Sequence, residues 1–123
     1  MIKFTIDGRL NSMNEFINAC CRSPYEKNAM KKRTQLMVIS YIKKDIPEFK
    51  TDKPIKIRYL FVEKKFRRDL DNIASYAMKT VQDSLVTYGT IPDDKFKYIK
   101  GFSCEFEEGE ENRIEVELVE VGE

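Results

Sequence analysis

The sequence of 123 residues contains no histidine, and this absence removes several kinds of active site. Without histidine the commonest general base is missing, and no serine or cysteine has the partner that would activate it as a nucleophile. A cysteine–histidine zinc site is disfavoured for the same reason. Any acid–base or hydrolytic chemistry must therefore use carboxylates, lysine or a metal-bound water.

Cysteine is scarce, and its positions do not suit a disulfide-stabilised fold. Cys20 and Cys21 are adjacent, and Cys104 makes the count odd. Such an arrangement disfavours a disulfide framework. Because a free cysteine behaves as a small hydrophobe, we expect buried free thiols in a reducing cytoplasm.

Long apolar runs are also missing, which limits the class of protein. No uninterrupted apolar stretch approaches the roughly 20 residues that a membrane span requires, and the N-terminus has no signal-peptide pattern. The fractions of 41% hydrophobic and 35% charged residues are typical of a soluble globular protein. We therefore expect a single cytoplasmic domain over residues 1–123 with no membrane partner.

The charge is unevenly distributed along the chain. Residues 1–100 carry 21 Lys and Arg against 12 Asp and Glu, a net charge of +9, whereas residues 101–123 carry one against nine, a net charge of −8. A basic body suits a polyanion, because a phosphate backbone attracts Lys and Arg by Coulomb forces and counterion release. The alternative is a solvated surface that only keeps the protein soluble.

Hydrophobic periodicity predicts an α+β fold with a small mixed or antiparallel sheet of about four strands and two main helices. Alternating apolar residues mark the strands, and Ser23-Pro24 is typical of an N-cap followed by the first helical residue. Residues 11–23 have an irregular pattern and are predicted to be a loop. The predicted elements are strands at 2–6, 54–62, 96–106 and 112–121 and helices at about 24–42 and 72–88, with the last two strands forming an antiparallel hairpin.

Each predicted helix has an apolar side and a polar side. The later helix repeats apolar residues every four positions, which predicts docking on the sheet through Ile73, Ala77, Val81 and Leu85. Its opposite face is predicted to carry Asn72, Ser75, Tyr76, Lys79 and Asp83. The earlier helix is expected to bury a partly amphipathic stripe that includes Leu36 and Met37, and its basic cluster is either a solvated face or the flank of a DNA path.

Residues 67–94 hold the most distinctive chemistry of the chain. Asp69 and Asp71 point the same way if the backbone is extended, and together with Asp94 they would offer oxygen ligands to Mg²⁺ or Mn²⁺. Each aspartate alone has a plainer explanation, because aspartates before a helix act as N-caps and an Asp-Asp pair after proline forms turns.

Cations surround these acids, as phosphodiester hydrolysis requires. A metal ion stabilises the charge that develops on the phosphate, and Lys79 can screen that charge or position the phosphate. No covalent nucleophile is needed. The residues predicted to contact DNA, in this stretch and on the earlier helix, are Lys64, Lys65, Arg67, Arg68, Asn72, Lys31, Lys32 and Arg33.

Two motifs in this stretch resemble the RusA family of Holliday junction resolvases. The first is Arg-Asp-Leu-Asp-Asn-Ile at 68–73 and the second is Gly-Thr-Ile-Pro-Asp-Asp at 89–94, with Lys79 and an Asp-Ser-Leu at 83–85 between them. The resemblance covers nearly the whole chain. Some family members carry the lysine four residues after the second aspartate of the first motif, where this chain has Ser75.

The resemblance implies a Mg²⁺-dependent, homodimeric endonuclease, with Mn²⁺ as a substitute metal and no nucleotide cofactor. Such an enzyme resolves four-way DNA junctions by paired nicks during recombination and repair. Asp69, Asp71 and Asp94 match the acids of the family and Lys79 its lysine. A two-fold dimer would present the same site to both strands, and the strand at 54–62 and the last hairpin are candidate dimer surfaces. The alternative is a non-catalytic, structure-selective DNA-binding protein with the same fold.

Overall fold

Four strands and three helices make up the structure, a computed structural model that describes residues 1–122. In chain order the elements are β1 (Ile2–Asp7), α1 (Met13–Arg22), α2 (Pro24–Asp45), β2 (Ile55–Glu63), α3 (Leu70–Tyr88), β3 (Ile99–Glu108) and β4 (Arg113–Glu120). The α+β class predicted from periodicity is confirmed. The long helices α2 and α3 are the two that the sequence predicts, and α1 is an addition.

The sheet is mixed, with the strand order β1-β4-β2-β3. Its central strand β2 runs parallel to β3 and antiparallel to β4. Because β3 and β4 lie on opposite sides of β2, the predicted hairpin of the last two strands is wrong. The chain between them crosses the end of β2 so closely that a Cβ on Gly109 would lie 2.7 Å from Val62 Cγ1.

One face of the sheet carries the main hydrophobic core. Alternate residues of β1, such as Phe4 and Ile6, are fully buried there against α2 and α3. The predicted four-residue repeat of α3 is confirmed, since Ile73, Ala77, Val81 and Leu85 are all buried. In α2 the buried positions are instead Met30, Thr34, Val38 and Ile42. Leu36 and Met37 were expected in the core and are exposed, because they lie off this four-residue repeat.

Residues 11–23 contain a helix, so the prediction of a loop is wrong. Ser12 is the N-cap of α1 and forms a capping box with Glu15, in which Ser12 Oγ accepts a hydrogen bond from Glu15 N and Ser12 N donates one to Glu15 Oε1. Two backbone donors are thereby satisfied, which stabilises the helix start. Ser23 ends α1 and caps α2, and the predicted cap at Ser23-Pro24 is confirmed.

Helix α1 packs against α2 and α3, and this changes the environment of the predicted polar face of α3. Tyr76 is only 3% exposed. Its ring stacks on Phe16 of α1 with centroids 4.7 Å apart. The prediction that Tyr76 lies on an open polar face is therefore wrong, because α1 covers that side of the helix.

The three cysteines are free thiols, as predicted, but their burial differs from the prediction. Cys20 and Cys21 are exposed on α1, and Cys104 is partly buried. The expectation of buried thiols is wrong for the adjacent pair because α1 docks through other positions, among them Ala19.

Candidate active site

Two of the predicted metal ligands lie at the start of α3. Asp69 is the N-cap residue in an extended conformation, and its carboxylate makes no capping hydrogen bond. Asp71 lies in the first helical turn, and both residues are exposed. Neither carboxylate forms an ion pair with any residue of 1–122. We call Asp69 and Asp71 the acidic helix start.

A buried ion network fixes the backbone just before the acidic helix start. Glu63, at the end of β2, is 4% exposed. Its Oε2 accepts a hydrogen bond from Arg68 Nη2 at 3.0 Å, and Arg9 Nη1 lies 3.8 Å from its Oε1. Arg68 Nη1 is also 3.7 Å from Glu15 Oε1. Arg68 was predicted to contact DNA, but its guanidinium is engaged by these carboxylates and therefore serves the scaffold.

Asn72 also has a structural partner. Its side-chain Oδ1 accepts a hydrogen bond from the backbone N–H of Asn14 at 2.8 Å. That N–H belongs to the first turn of α1, where backbone donors lack intrahelical acceptors. Asn72 was predicted to contact DNA, whereas in the structure it joins the start of α1 to the start of α3.

Lys79, Asp83 and Asp94 form a second charged group, which we call the lysine cluster. Lys79 Nζ donates a hydrogen bond to Asp83 Oδ1 at 3.0 Å and lies 4.0 Å from Asp94 Oδ2. The hydrogen bond and charge of Asp83 raise the pKa of Lys79, and the charge of Asp94 adds to this effect. Lys79 is therefore a firmly protonated cation at neutral pH.

The turn at the C-terminus of α3 directs the chain back toward Lys79. Gly89 adopts φ +92° at the C-terminus of α3, and its N–H bonds back to the carbonyl of Val86. A residue with a Cβ adopts this conformation only with strain. The segment after Gly89 then folds alongside the helix, and this brings Asp94 to the lysine.

The structure does not gather all of the predicted metal ligands at one point. Within residues 1–122 there is no group of three His, Cys, Asp or Glu side chains placed to hold a metal ion. Lys79 follows Asp71 by two helical turns, a rise of about 12 Å along the axis. The predicted site is thus divided into the acidic helix start and the lysine cluster, which lie on one helix.

Most of the predicted DNA-contacting cations are accessible. Lys64, Lys65 and Arg67 are exposed in the segment that joins β2 to α3, and Lys32 and Arg33 are exposed on α2. Lys31 is half-buried because it lies beside the groove between α2 and the other helices. Arg67 makes no ion pair with the described residues, which leaves its charge available to a phosphate.

Two residues that contact Arg68 near the acidic helix start, Glu63 and Glu15, were not predicted from the sequence. Glu63 reads as the polar end of an apolar strand, and nothing local predicts its burial. Glu15 had a usable signal, since Ser12-Met13-Asn14-Glu15 fits the capping-box pattern of serine followed three residues later by glutamate.

Comparison of the sequence with protein-family models gave no match, and comparison with curated proteins gave none either. Among the helices of residues 1–122, none combines the length and the apolar character needed to cross a bilayer.

Proposed function

We propose that this protein is a metal-dependent endonuclease of the RusA type, which nicks opposing strands of four-way DNA junctions. The observation that carries the proposal is the approach of Asp94 to Lys79, 4.0 Å apart. It brings the second motif that resembles the family to the lysine that lies between the two motifs on α3. The acidic helix start at the head of the same helix supplies further carboxylates.

The donor chemistry of the acidic helix start fits Mg²⁺ or Mn²⁺. Mg²⁺ usually keeps several waters and is bound by one or two carboxylates together with substrate phosphates. Asp69 and Asp71 are exposed and have no ion-pair partner among residues 1–122, so each carboxylate is available to such an ion, although Asp71 is helical and the extended backbone predicted for this pair is not formed. When bound, the metal ion would neutralise negative charge on the phosphate that is cleaved.

The protein's own residues would divide the remaining work. Lys79, held by Asp83 and Asp94, would bind a phosphate oxygen as a fixed positive charge. Arg67 and the neighbouring Lys64 and Lys65 would attract the DNA backbone on the approach to the acidic helix start. Arg68 would hold that start in place through Glu63, without touching DNA.

A homodimer is part of the proposal, because one site of this kind addresses one strand and a junction is cut twice. Strand β2 offers no edge for pairing, since β3 and β4 occupy both of its edges. The outer strands β1 and β3 and the face of the sheet without helices remain as contact surfaces. Sedimentation at micromolar concentration is expected to give twice the monomer mass of 14.5 kDa.

A junction-cleavage assay tests the proposal. The wild-type protein with Mg²⁺ is expected to produce symmetric nicks in a synthetic four-way junction. Asp71→Asn should reduce the rate at least ~100-fold, because asparagine keeps the size and removes the charge that the cation needs. Asp52→Asn, which changes an exposed aspartate outside both charged groups, is the matched control and should cleave like the wild type. Intact junctions with wild-type protein across a range of salt and metal would refute the proposal.

One observation favours a second function. Where some family members carry the lysine, this chain has Ser75, and a non-catalytic protein that binds branched DNA is therefore the competing proposal. It predicts junction binding that weakens steeply with salt. Binding would be equal with and without Mg²⁺, and Asp71→Asn would bind like the wild type. Any metal-dependent nicking that Asp71→Asn abolishes excludes it.

A further inference from the structure

The three helices enclose a pocket that borders the lysine cluster and extends beyond it. It has a volume of about 250 Å³ and lies where α1 crosses α2 and α3. Phe16 and Tyr76, the stacked aromatic pair, form part of its wall. These two residues belong to a small apolar cluster with Ala19 and Met30, separate from the core on the sheet. The pocket is therefore a largely apolar cleft, in which Phe16 is the more accessible ring because Tyr76 is only 3% exposed.

Three lysines stand around this cleft. Lys27 and Lys31 of α2 lie one turn apart, and Lys79 of α3 faces them from the other wall. Asp83 is the single acidic side chain in the lining, and it is paired with Lys79. The lining thus has two positive charges in excess, so the apolar cleft has an anion-attracting rim.

An apolar, aromatic slot with a cationic rim matches the two parts of an unstacked nucleotide. Bases stack on aromatic side chains, and the adjoining phosphates bind Lys and Arg. The volume lies below the roughly 300–1,000 Å³ of pockets that enclose a drug-sized ligand. It suits one planar ring system, with the sugar and phosphate outside on the lysines. Gln35, also in the lining, offers an amide that can hydrogen-bond to the edge of a base.

We infer that this cleft binds a single unpaired base of a DNA strand, with Lys27, Lys31 and Lys79 on the flanking phosphates. The inference deepens the proposed function and rests on it, because Lys79 belongs to both regions. At the centre of a branched DNA, where base pairing is interrupted, a base is cheaper to unstack than in a regular duplex. Capture of such a base would seat the adjacent phosphate at the lysine cluster.

The adjacent cysteines provide a matched pair of variants. Cys20 lines the cleft, and Cys21 is its exposed neighbour outside the lining. Cys20→Trp should fill the cleft without disturbing the core, and Cys21→Trp adds the same ring elsewhere. A second pair of variants tests the contribution of positive charge. Lys27→Gln removes a charge beside the cleft, and Lys43→Gln removes an exposed charge at the far end of α2. Circular dichroism and thermal unfolding establish that each variant is folded.

The measurement is binding, without divalent metal, to a duplex with a one-nucleotide bulge and to the same duplex fully paired. Wild-type protein and Cys21→Trp should bind the bulged DNA ~10-fold more tightly, as expected for one stacked base. Cys20→Trp should lose this preference, and Lys27→Gln should reduce it more than Lys43→Gln does. Equal binding of both DNAs by the wild type, or an unchanged preference in Cys20→Trp, would overturn the inference.

The experiments distinguish an error in the base-binding inference from an error in the proposed nuclease function. If the protein nicks junctions but does not distinguish the two duplexes, only the cleft assignment is lost. If it binds neither duplex and leaves junctions intact, both proposals are refuted. Preference for a free nucleoside monophosphate over bulged DNA would also overturn the inference, since it would assign the cleft to a small-molecule ligand.

Discussion

The acidic helix start and the lysine cluster both contain two aspartates, but the aspartates differ in whether they are paired with a cation. Asp69 and Asp71 are exposed and have no cationic partner among residues 1–122, whereas Asp83 and Asp94 share the ammonium of Lys79. A carboxylate paired with lysine is a poor place for a second cation, because that cation would lie beside a like charge. The contrast favours metal binding at the acidic helix start, whose carboxylates are not neutralised by a lysine.

The two regions also differ in what holds them. The acidic helix start follows Arg68, which is ion-paired with the buried Glu63, so its backbone is tied to the end of the sheet. The lysine cluster contains the exposed side chain of Lys79, at 63%, and two half-buried aspartates, Asp83 at 22% and Asp94 at 31%. Exposed ion pairs contribute little to stability. Substitutions of Arg68 or Glu63 should therefore affect folding, whereas substitutions within the lysine cluster should change stability little.

Loss of Arg68 is expected to have the largest effect on stability. Arg68→Ala leaves Glu63 buried with only the more distant Arg9 as a counter-charge, so the free energy of unfolding should fall by about 3 kcal/mol. Arg67→Ala, at the exposed neighbour, should change it by less than about 0.5 kcal/mol. Urea denaturation of both variants measures the difference. If both variants change the free energy of unfolding by the same small amount, the Arg68–Glu63 ion pair does not stabilise the start of α3.

A second substitution sharpens the same test. Adding Glu63→Gln to Arg68→Ala should recover part of the lost stability, because a neutral amide costs less to bury than an unpaired carboxylate. If the double variant is as unstable as the sum of the two single variants, the two side chains are not energetically coupled.

The next largest expected effect is a loss of metal affinity. Measuring it shows which of the two regions binds the metal. Asp69→Asn should weaken Mn²⁺ binding ~100-fold, because it removes one of two charged ligands. Asp83→Asn, at a carboxylate already paired with Lys79, should leave Mn²⁺ affinity within about twofold of the wild type. Isothermal titration of each folded variant with Mn²⁺ decides between them. A greater loss in Asp83→Asn would transfer the metal to the lysine cluster.

Apart from α1, which was predicted to be a loop, the helices and strands followed from local sequence patterns, but the pairing of the strands did not. The cap at Ser23 and the repeat from Ile73 to Leu85 depend on neighbouring residues, so they can be found in the sequence. The position of β2 between β3 and β4 depends on contacts between distant segments. A hairpin is the simplest connection of two consecutive strands, and here the chain crosses β2 through the close approach at Gly109.

The sequence predicted which residue types make up the candidate site, but only some of the distances between them. The spacing of Lys79 and Asp83, one helical turn apart, is realised as a hydrogen bond of 3.0 Å. The distance between Asp71 and Asp94 depends on the loop after Gly89, which no periodicity describes. The function of Asn72 depends on Asn14, which is 58 positions away in sequence. Arg68 is only five positions from Glu63, but its function depends on the burial of Glu63 at the end of the sheet, which no local pattern predicts.

The smallest predicted effect concerns pH and the helix that supports the acidic helix start. The N–H of Ser12 donates to Glu15, and together with the side chain of Asn11 it lowers the pKa of the Glu15 carboxyl against the opposing effect of burial. A lowered pKa in the folded state means that the ionised form is the stabilising one. Its contribution is complete above the unfolded pKa of about 4.3 and is lost as the pH falls through the lower, folded value.

Acidification should therefore loosen the start of α1. Exchange of the Ser12 amide proton, which bonds to Glu15, should accelerate relative to that of Thr80 in the middle of α3 as the pH falls below about 4.3. In Glu15→Gln the amide oxygen still accepts that bond, so the relative rates should not change with pH. A wild-type ratio that is constant from neutral to acidic pH would show that the carboxylate charge does not stabilise this helix start. The support of the acidic helix start would then rest on the Arg68–Glu63 ion pair and the hydrogen bond between Asn14 and Asn72.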